Sequence, residues 1–202
     1  MFTISEYAKL DKQGVIGTCV RLPIAFELEK LISDFHSMSP ERWGSRGGRV
    51  GVHVQAEAVF LRGFAPAEGD LPIEDRPVLT QLPYAKHLIH QLFGAHPMRC
   101  LFAKLKAKGQ VPLHIDKGEY FDKTVRIHIP IVTNPEAKMF VGGRVFSMKV
   151  GEVWAINNST VHGVVNAHES EARTHLICDY LPNHQLLRCI SDGDRNLGIE
   201  IE

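Results

Sequence analysis

The apolar positions of this chain recur with a helical period in its first half and with a period of two in its second. Over residues 24–37, Ile24, Phe26, Leu28, Leu31, Ile32 and Phe35 fall near one stripe and predict a helix. Over residues 79–94, Leu82, Leu88, Ile89, Leu92 and Phe93 do the same, with Pro83 near the start and Gly94 as a stop. From residue 99 the pattern alternates: Leu101, Ala103, Leu105 and Ala107 interleave with Phe102, Lys104, Lys106 and Lys108, as on a half-buried strand. Residues 124–132 put Val125, Ile127, Ile129 and Ile131 on one face and Arg126 and His128 on the other. Residues 139–150, with the Gly142-Gly143 turn, predict a hairpin, and further strands are expected over 153–156 and 161–167. Residues 173–180 place Arg173, His175, Ile177 and Asp179 on one face and Thr174, Leu176, Cys178 and Tyr180 on the other.

Helices first and many short strands afterwards predict an α+β, mainly β layout, a jelly roll or cupin-like barrel buttressed by N-terminal helices. A strand with Val and Ile outside and Arg and His inside does not suit a filled core. It suits a barrel that encloses a polar cavity. The 202 residues fit one domain, divided into a helical and substrate-side segment (1–97), a β core (98–182) and a tail (183–202). The tail's Ser191-Asp192-Gly193-Asp194 lacks the spaced carboxylates of a calcium loop.

Charge narrows the partners. Lys+Arg and Asp+Glu balance at 23 each, so no global field favours nucleic acid or a membrane surface. No apolar run approaches a bilayer span, and the first residues carry no secretory pattern. Four cysteines without a Cys-x-x-Cys pair read as buried thiols of a reducing, cytoplasmic setting.

The candidate chemistry lies in the β half. His114 and Asp116 are two apart, so at a strand end both face the same way. His162 follows 46 residues after Asp116, beyond the Asn157–Ser159 turn. Two imidazoles and one carboxylate are the facial ligand set of non-haem Fe(II), with open positions for substrate and oxygen. The competing reading is a histidine pair in the core with Asp116 opening a turn. Arg173, eleven residues after His162, offers a guanidinium that suits a carboxylate bidentately. Arg126 and His128 add donors on the same predicted face. His87 and His90 are read as ordinary helix residues, and the Lys104–Lys106–Lys108 row as a solvated strand face.

The strings VPLHID, RIHIPIV, GEVWAINNSTVHGVVN and ARTHLICDYLP resemble the aspartyl/asparaginyl β-hydroxylase family of Fe(II)- and 2-oxoglutarate-dependent dioxygenases over residues 111–180. The resemblance implies a double-stranded β-helix. It implies that His114, Asp116 and His162 hold Fe(II), and that Arg173 binds the distal carboxylate of 2-oxoglutarate while Arg126 and His128 assist near the metal. It also implies hydroxylation of an unactivated C–H, with molecular oxygen consumed, succinate and CO2 released, and ascorbate stimulatory. Where members of the family often carry a serine that helps hold the distal carboxylate, this chain has Ala103.

On the substrate side, residues 43–49 (WGSRGGR) form a cationic aromatic loop. Arg46 and Arg49 could bind a substrate carboxylate and Trp43 could pack over it. His53 and Gln55 read as ordinary strand residues. The expected substrate is an amino acid or a similar small molecule. The alternatives are an Asp or Asn side chain in a peptide or protein, a non-oxidative cupin-type metal protein, and a module that binds 2-oxoglutarate without turnover.

Overall fold

A computed structural model describes residues 4–48, 51–67, 69 and 71–201. Its strands are β1 (Cys19–Leu22), β2 (Gly44–Ser45), β3 (Ala56–Arg62), β4 (His96–Leu105), β5 (Gln110–His114) and β6 (Val125–Val132), followed by β7 (Ala137–Val141), β8 (Arg144–Phe146), β9 (Val153–Ile156), β10 (His162–Asn166), β11 (Arg173–Leu181) and β12 (Ile199–Glu200). The helices are α1 (Lys12–Val15), α2 (Leu28–Ser37), α3 (Pro83–Gln91), α4 (Glu119–Lys123) and α5 (His184–Ser191). A seven-stranded sheet runs β1-β9-β6-β11-β4-β3-β2, and a five-stranded sheet runs β12-β8-β7-β10-β5. Every strand pair is antiparallel.

Alternation decides what each face of the large sheet does. Val125, Ile127, Ile129 and Ile131 of β6, Leu176, Cys178 and Tyr180 of β11 and Phe102 of β4 point outward and join one core. Leu31 of α2, Leu88 and Ile89 of α3, and Leu186 and Ile190 of α5 cover that face. Each such aliphatic side chain contributes about 1.5–3 kcal/mol when fully buried. The opposite residues, Arg126, His128, Arg173, His175 and Asp179, are thereby committed to the interior between the sheets, because a one-residue slip would exchange the two faces. A second apolar cluster seals part of that interior. Cys19, Leu105, Trp154 and Ile156 of the large sheet meet Val111, Met139, Val141, Phe146 and Val164 of the small one. The jelly roll and the inward polar faces expected from the sequence are both present.

The helices differ from expectation at their starts. The first begins at Leu28 rather than residue 24, although Ile24 and Phe26 still pack on the core. The second is split: a 3-10 turn covers Pro77–Gln81, Leu82 takes φ −124° and ψ 72°, and the α-helix starts at Pro83. A residue before proline is pushed out of the helical region, so the apolar stripe continues while the backbone breaks. Gly94, at φ +55°, ends the segment as expected. The tail folds onto the body through α5 and through β12, which pairs with β8. Among the described residues, no helix is long and apolar enough to cross a membrane, and all four cysteines are free, three of them buried.

Candidate metal centre and anion pocket

His114 ends β5, and His162 opens β10 as its register partner. The two rings lie 4.2 Å apart between centroids. The strands approach closely here because residue 163 is glycine: a Cβ on Gly163 would come 2.8 Å from the carbonyl oxygen of Val111. Asp116 lies two residues past the end of β5, where its N–H donates to the carbonyl of Asn158 at 3.0 Å. Ligand atoms of His114, Asp116 and His162 all fall within 4.8 Å of one another, the only such group among the described residues.

The hydrogen bonds fix which imidazole nitrogen is available. His114 Nδ1 lies 2.8 Å from the carbonyl of Pro112, and His162 Nδ1 lies 2.9 Å from that of Thr160. Each Nδ1 therefore carries the proton, and each Nε2 presents a lone pair toward Asp116, at 3.6 and 3.9 Å. That is the tautomer a metal-binding histidine needs, set by its outer partner. Burial drives the pKa of His162 down to about 4 and lowers that of His114. Burial alone would raise the Asp116 carboxyl, but Arg126, His162 and Asn158 outweigh it and hold it well below the usual carboxylate range. Two neutral imidazoles and an ionised carboxylate are the forms that bind a divalent cation, so the donor set fits Fe(II).

Arg126 lies beside the candidate metal ligands. It lines the cavity, but its NH1 donates to Asp116 Oδ2 at 2.6 Å, and its Nε and NH2 form a bidentate pair with Asp179 at 2.8 and 3.0 Å. Asp179 is its cross-strand partner between β6 and β11. The Tyr120 hydroxyl donates to Asp179 at 3.1 Å, and Arg99 approaches it at 3.6 Å. A guanidinium clamped by two buried carboxylates orients the candidate metal ligand. Replacing Asp179 by asparagine leaves Arg126 half-compensated in the interior. The expected loss is about 3–5 kcal/mol, read as a fall of roughly 10 °C in melting temperature for a chain of this length.

Arg173 is different. It is buried and, among the described residues, meets no carboxylate. Its NH2 donates instead to Nδ1 of His175 at 2.8 Å. Burial pushes its pKa down to about 9. A guanidinium does not give up its proton in a protein, so this depression registers an unmet demand for an anion. His128 lies beside it, with Nδ1 3.3 Å from His175 Nδ1 and a buried Nε2 that has no hydrogen-bond partner. Ala103 is the register partner of His175 and lies in a small apolar cluster with Ala58, Leu101 and Ile177.

The cavity, partly open to solvent, is lined by His114, His162, Arg126, His128 and Arg173, and also by Arg46 and His53. Of the expected substrate residues, Arg46 is brought here. Burial, then the charges of Arg126 and Arg99, push its pKa down to about 9, and no carboxylate among the described residues pairs with it. Trp43 is a correction. It packs edge-on against Phe35, with Lys104 Nζ 4.2 Å over its ring, on the outer side of the sheet. An apolar ring at the edge of β2 finds the helical core on one side and a charged cavity on the other, and takes the core. Arg49 lies outside the described residues. His53, read as an ordinary strand residue, sits in a turn and meets His114 edge-on, with ring centroids 5.6 Å apart. Gln55 caps the N–H of Gln110 at 2.8 Å and stays out of the cavity. Lys104 and Lys106 share Glu57, Lys108 pairs with Glu169, and His90 pairs with Asp75, so these carry no site.

Spacing along the chain does not reveal the roles of His53, His175, Asn158 or Asp179. Each depends on a partner supplied by the fold, although His175 and Asp179 were already visible on the inner face of their strand.

A search of the curated proteins gives no match. Among solved structures, an oxidoreductase of the 2OG-Fe(II) oxygenase family from Burkholderia pseudomallei superposes with a TM-score of 0.59 at 17% identity, covering 93% of this chain and 94% of that one. A prolyl hydroxylase from Trichoplax adhaerens, in complex with a hypoxia inducible factor peptide fragment, gives 0.53 at 10% identity over 87% and 88% of the two chains. At such identities these likenesses speak for the fold. The family itself is identified by its sequence model, which matches residues 71–182, from the approach to α3 through the first residue after β11. That span holds the two histidines, Asp116 and the buried arginines Arg126 and Arg173, and the chain belongs to the aspartyl/asparaginyl β-hydroxylase family.

Proposed function

We propose that the chain is an Fe(II)- and 2-oxoglutarate-dependent hydroxylase of an amino-acid-like substrate that carries a carboxylate. One observation carries the reading. A polar cavity with three convergent ligand atoms at its wall also holds two guanidiniums, Arg46 and Arg173, that meet no carboxylate among the described residues. Two unmet cationic positions suit two anionic groups, one on the cosubstrate and one on the substrate.

In this reading His114, Asp116 and His162 hold the metal, and Arg126 and Asn158 keep the Asp116 carboxylate turned toward it. Arg173 takes the distal carboxylate of 2-oxoglutarate, with His175 steadying its guanidinium and His128 beside it. When bound, Fe(II) with 2-oxoglutarate and oxygen supplies the oxidising power that converts a C–H to C–OH, releasing succinate and CO2. The protein's own task is placement. Arg46 anchors the substrate so that one carbon faces the metal, and the apolar seal between the sheets limits water behind the site.

The test is succinate release from 2-oxoglutarate with Fe(II), ascorbate and oxygen, across free amino acids and short Asp- or Asn-containing peptides. Turnover stimulated by one carboxylate-bearing compound, and cut by about 10²-fold in kcat/KM in Arg46→Ala, supports the reading. Stimulation only by peptides moves the substrate to a protein side chain. No succinate from iron-loaded protein, even uncoupled, favours a binding module or a non-oxidative metal protein.

A further inference from the structure

Lys12 lies about a hundred residues before the first candidate ligand, outside the segment matched by the family model, yet it is built into the support of the metal centre. It opens α1, whose N-cap Asp11 accepts from the N–H of Gly14 at 3.0 Å. The residue is only 4% exposed. Lysine is almost never fully buried unless paired, and here the ammonium's hydrogen bond goes to a neutral amide: Nζ donates to Oδ1 of Asn158 at 2.6 Å.

Asn158 is fully buried, and its Nδ2 donates to Asp116 Oδ2 at 3.0 Å. A side-chain amide has a donor end and an acceptor end of nearly equal size. Turned over, it would bring Oδ1 against a carboxylate oxygen and lose a hydrogen bond in a dry interior. An ammonium has donors only, so it selects the orientation in which Oδ1 faces Lys12 and the NH2 group faces Asp116. With Arg126 on the same Oδ2, that carboxylate oxygen receives two donors from fixed directions.

We infer that Lys12 is a positioning residue of the metal centre, acting through the Asn158 amide to fix the orientation of the Asp116 carboxylate. The inference rests on the reading of His114, Asp116 and His162 as a metal site. It adds to that reading a contribution from the N-terminal segment.

The test uses Co(II) binding to the metal-free full chain, followed by its visible absorption, for the wild type, Lys12→Met, Asn158→Ala and the double variant. Lys12→Met is expected to weaken Co(II) by about 10- to 100-fold, the range for losing an outer partner of a ligand, and to change the shape of the absorption band as Asp116 turns. If Lys12 acts through Asn158, the double variant is no weaker than the weaker single variant. Lys12→Arg, which keeps a donor for Oδ1, is expected to recover most of the affinity. If Lys12→Met does not fold, Lys12→Gln, whose amide can donate or accept and so no longer selects the Asn158 orientation, takes its place with the same expected losses alone and in the double variant. Unchanged affinity and band shape in Lys12→Met, or losses that multiply in the double variant, overturn the role of Lys12. A wild type that binds no Co(II) at all overturns the metal-site reading beneath it.

Discussion

Replacing His162 by alanine is expected to abolish both metal binding and turnover. His162 supplies one of three ligand atoms, and its Nδ1 is spent on the carbonyl of Thr160, so no other group on β10 can substitute for its Nε2. Loss of a central catalytic group costs about 10⁴-fold or more in rate, and turnover should fall to that extent. A second readout separates chemistry from folding. Metal binding raises the melting temperature of a protein that binds it only when folded. The wild type should therefore melt higher with added Co(II) or Fe(II), and His162→Ala should not respond. An alanine variant that still turns over, or whose melting still rises with metal as the wild type's does, removes His162 from the centre.

Arg173→Ala is expected to have the second largest effect, with a different signature. Truncating one partner of a buried charge pair costs about 2–5 kcal/mol, so the 2-oxoglutarate concentration needed for half-maximal rate should rise by about 10²-fold or more. Metal affinity should stay close to that of the wild type, because Arg173 makes no contact with the three ligands; its hydrogen bond goes to His175. The variant should also melt no lower than the wild type in the absence of cosubstrate. Arg173 is buried and meets no carboxylate among the described residues, so the folded protein holds its charge at a cost until an anion arrives. Added 2-oxoglutarate should then stabilise the wild type and leave Arg173→Ala unmoved. A cosubstrate requirement equal to that of the wild type would take the anion-binding role away from Arg173.

Much of this centre could be read from spacing because the spacing is local. His114 and Asp116 are two positions apart, as are Arg126 and His128 and Arg173 and His175, so strand geometry alone places each pair on one face. The outward Val and Ile residues of β6 were legible for the same reason, and they are found in the core beneath the helices. What spacing cannot give is register between strands. Arg126 and Asp179 were both visible as inward residues, but that they face each other across β6 and β11 follows from a pairing fixed by the whole sheet. That pairing is why Arg126 clamps a metal-ligand carboxylate instead of lying free for the cosubstrate. The WGSRGGR loop failed in a similar way. Composition marked it as cationic and aromatic, but which side of the sheet edge each side chain takes depends on the partners waiting there: Phe35 and Lys104 for Trp43, and the cavity for Arg46. Lys12 carries no motif at all, and its place emerges only when α1 is folded against the turn after β9.

The division of labour between the elements has a consequence for how this protein can change. The candidate redox centre is set by the paired ends of β5 and β10, and its anion hole by β11, all in rigid sheet. Under the proposed function, substrate contact enters through Arg46, in the short stretch between β2 and β3. Variation at and beside Arg46, short of the His53 ring that lies against His114, would resample substrate choice while the metal ligands stay in place, so this is where divergence of specificity within the lineage, or a laboratory library aimed at new substrates, should concentrate.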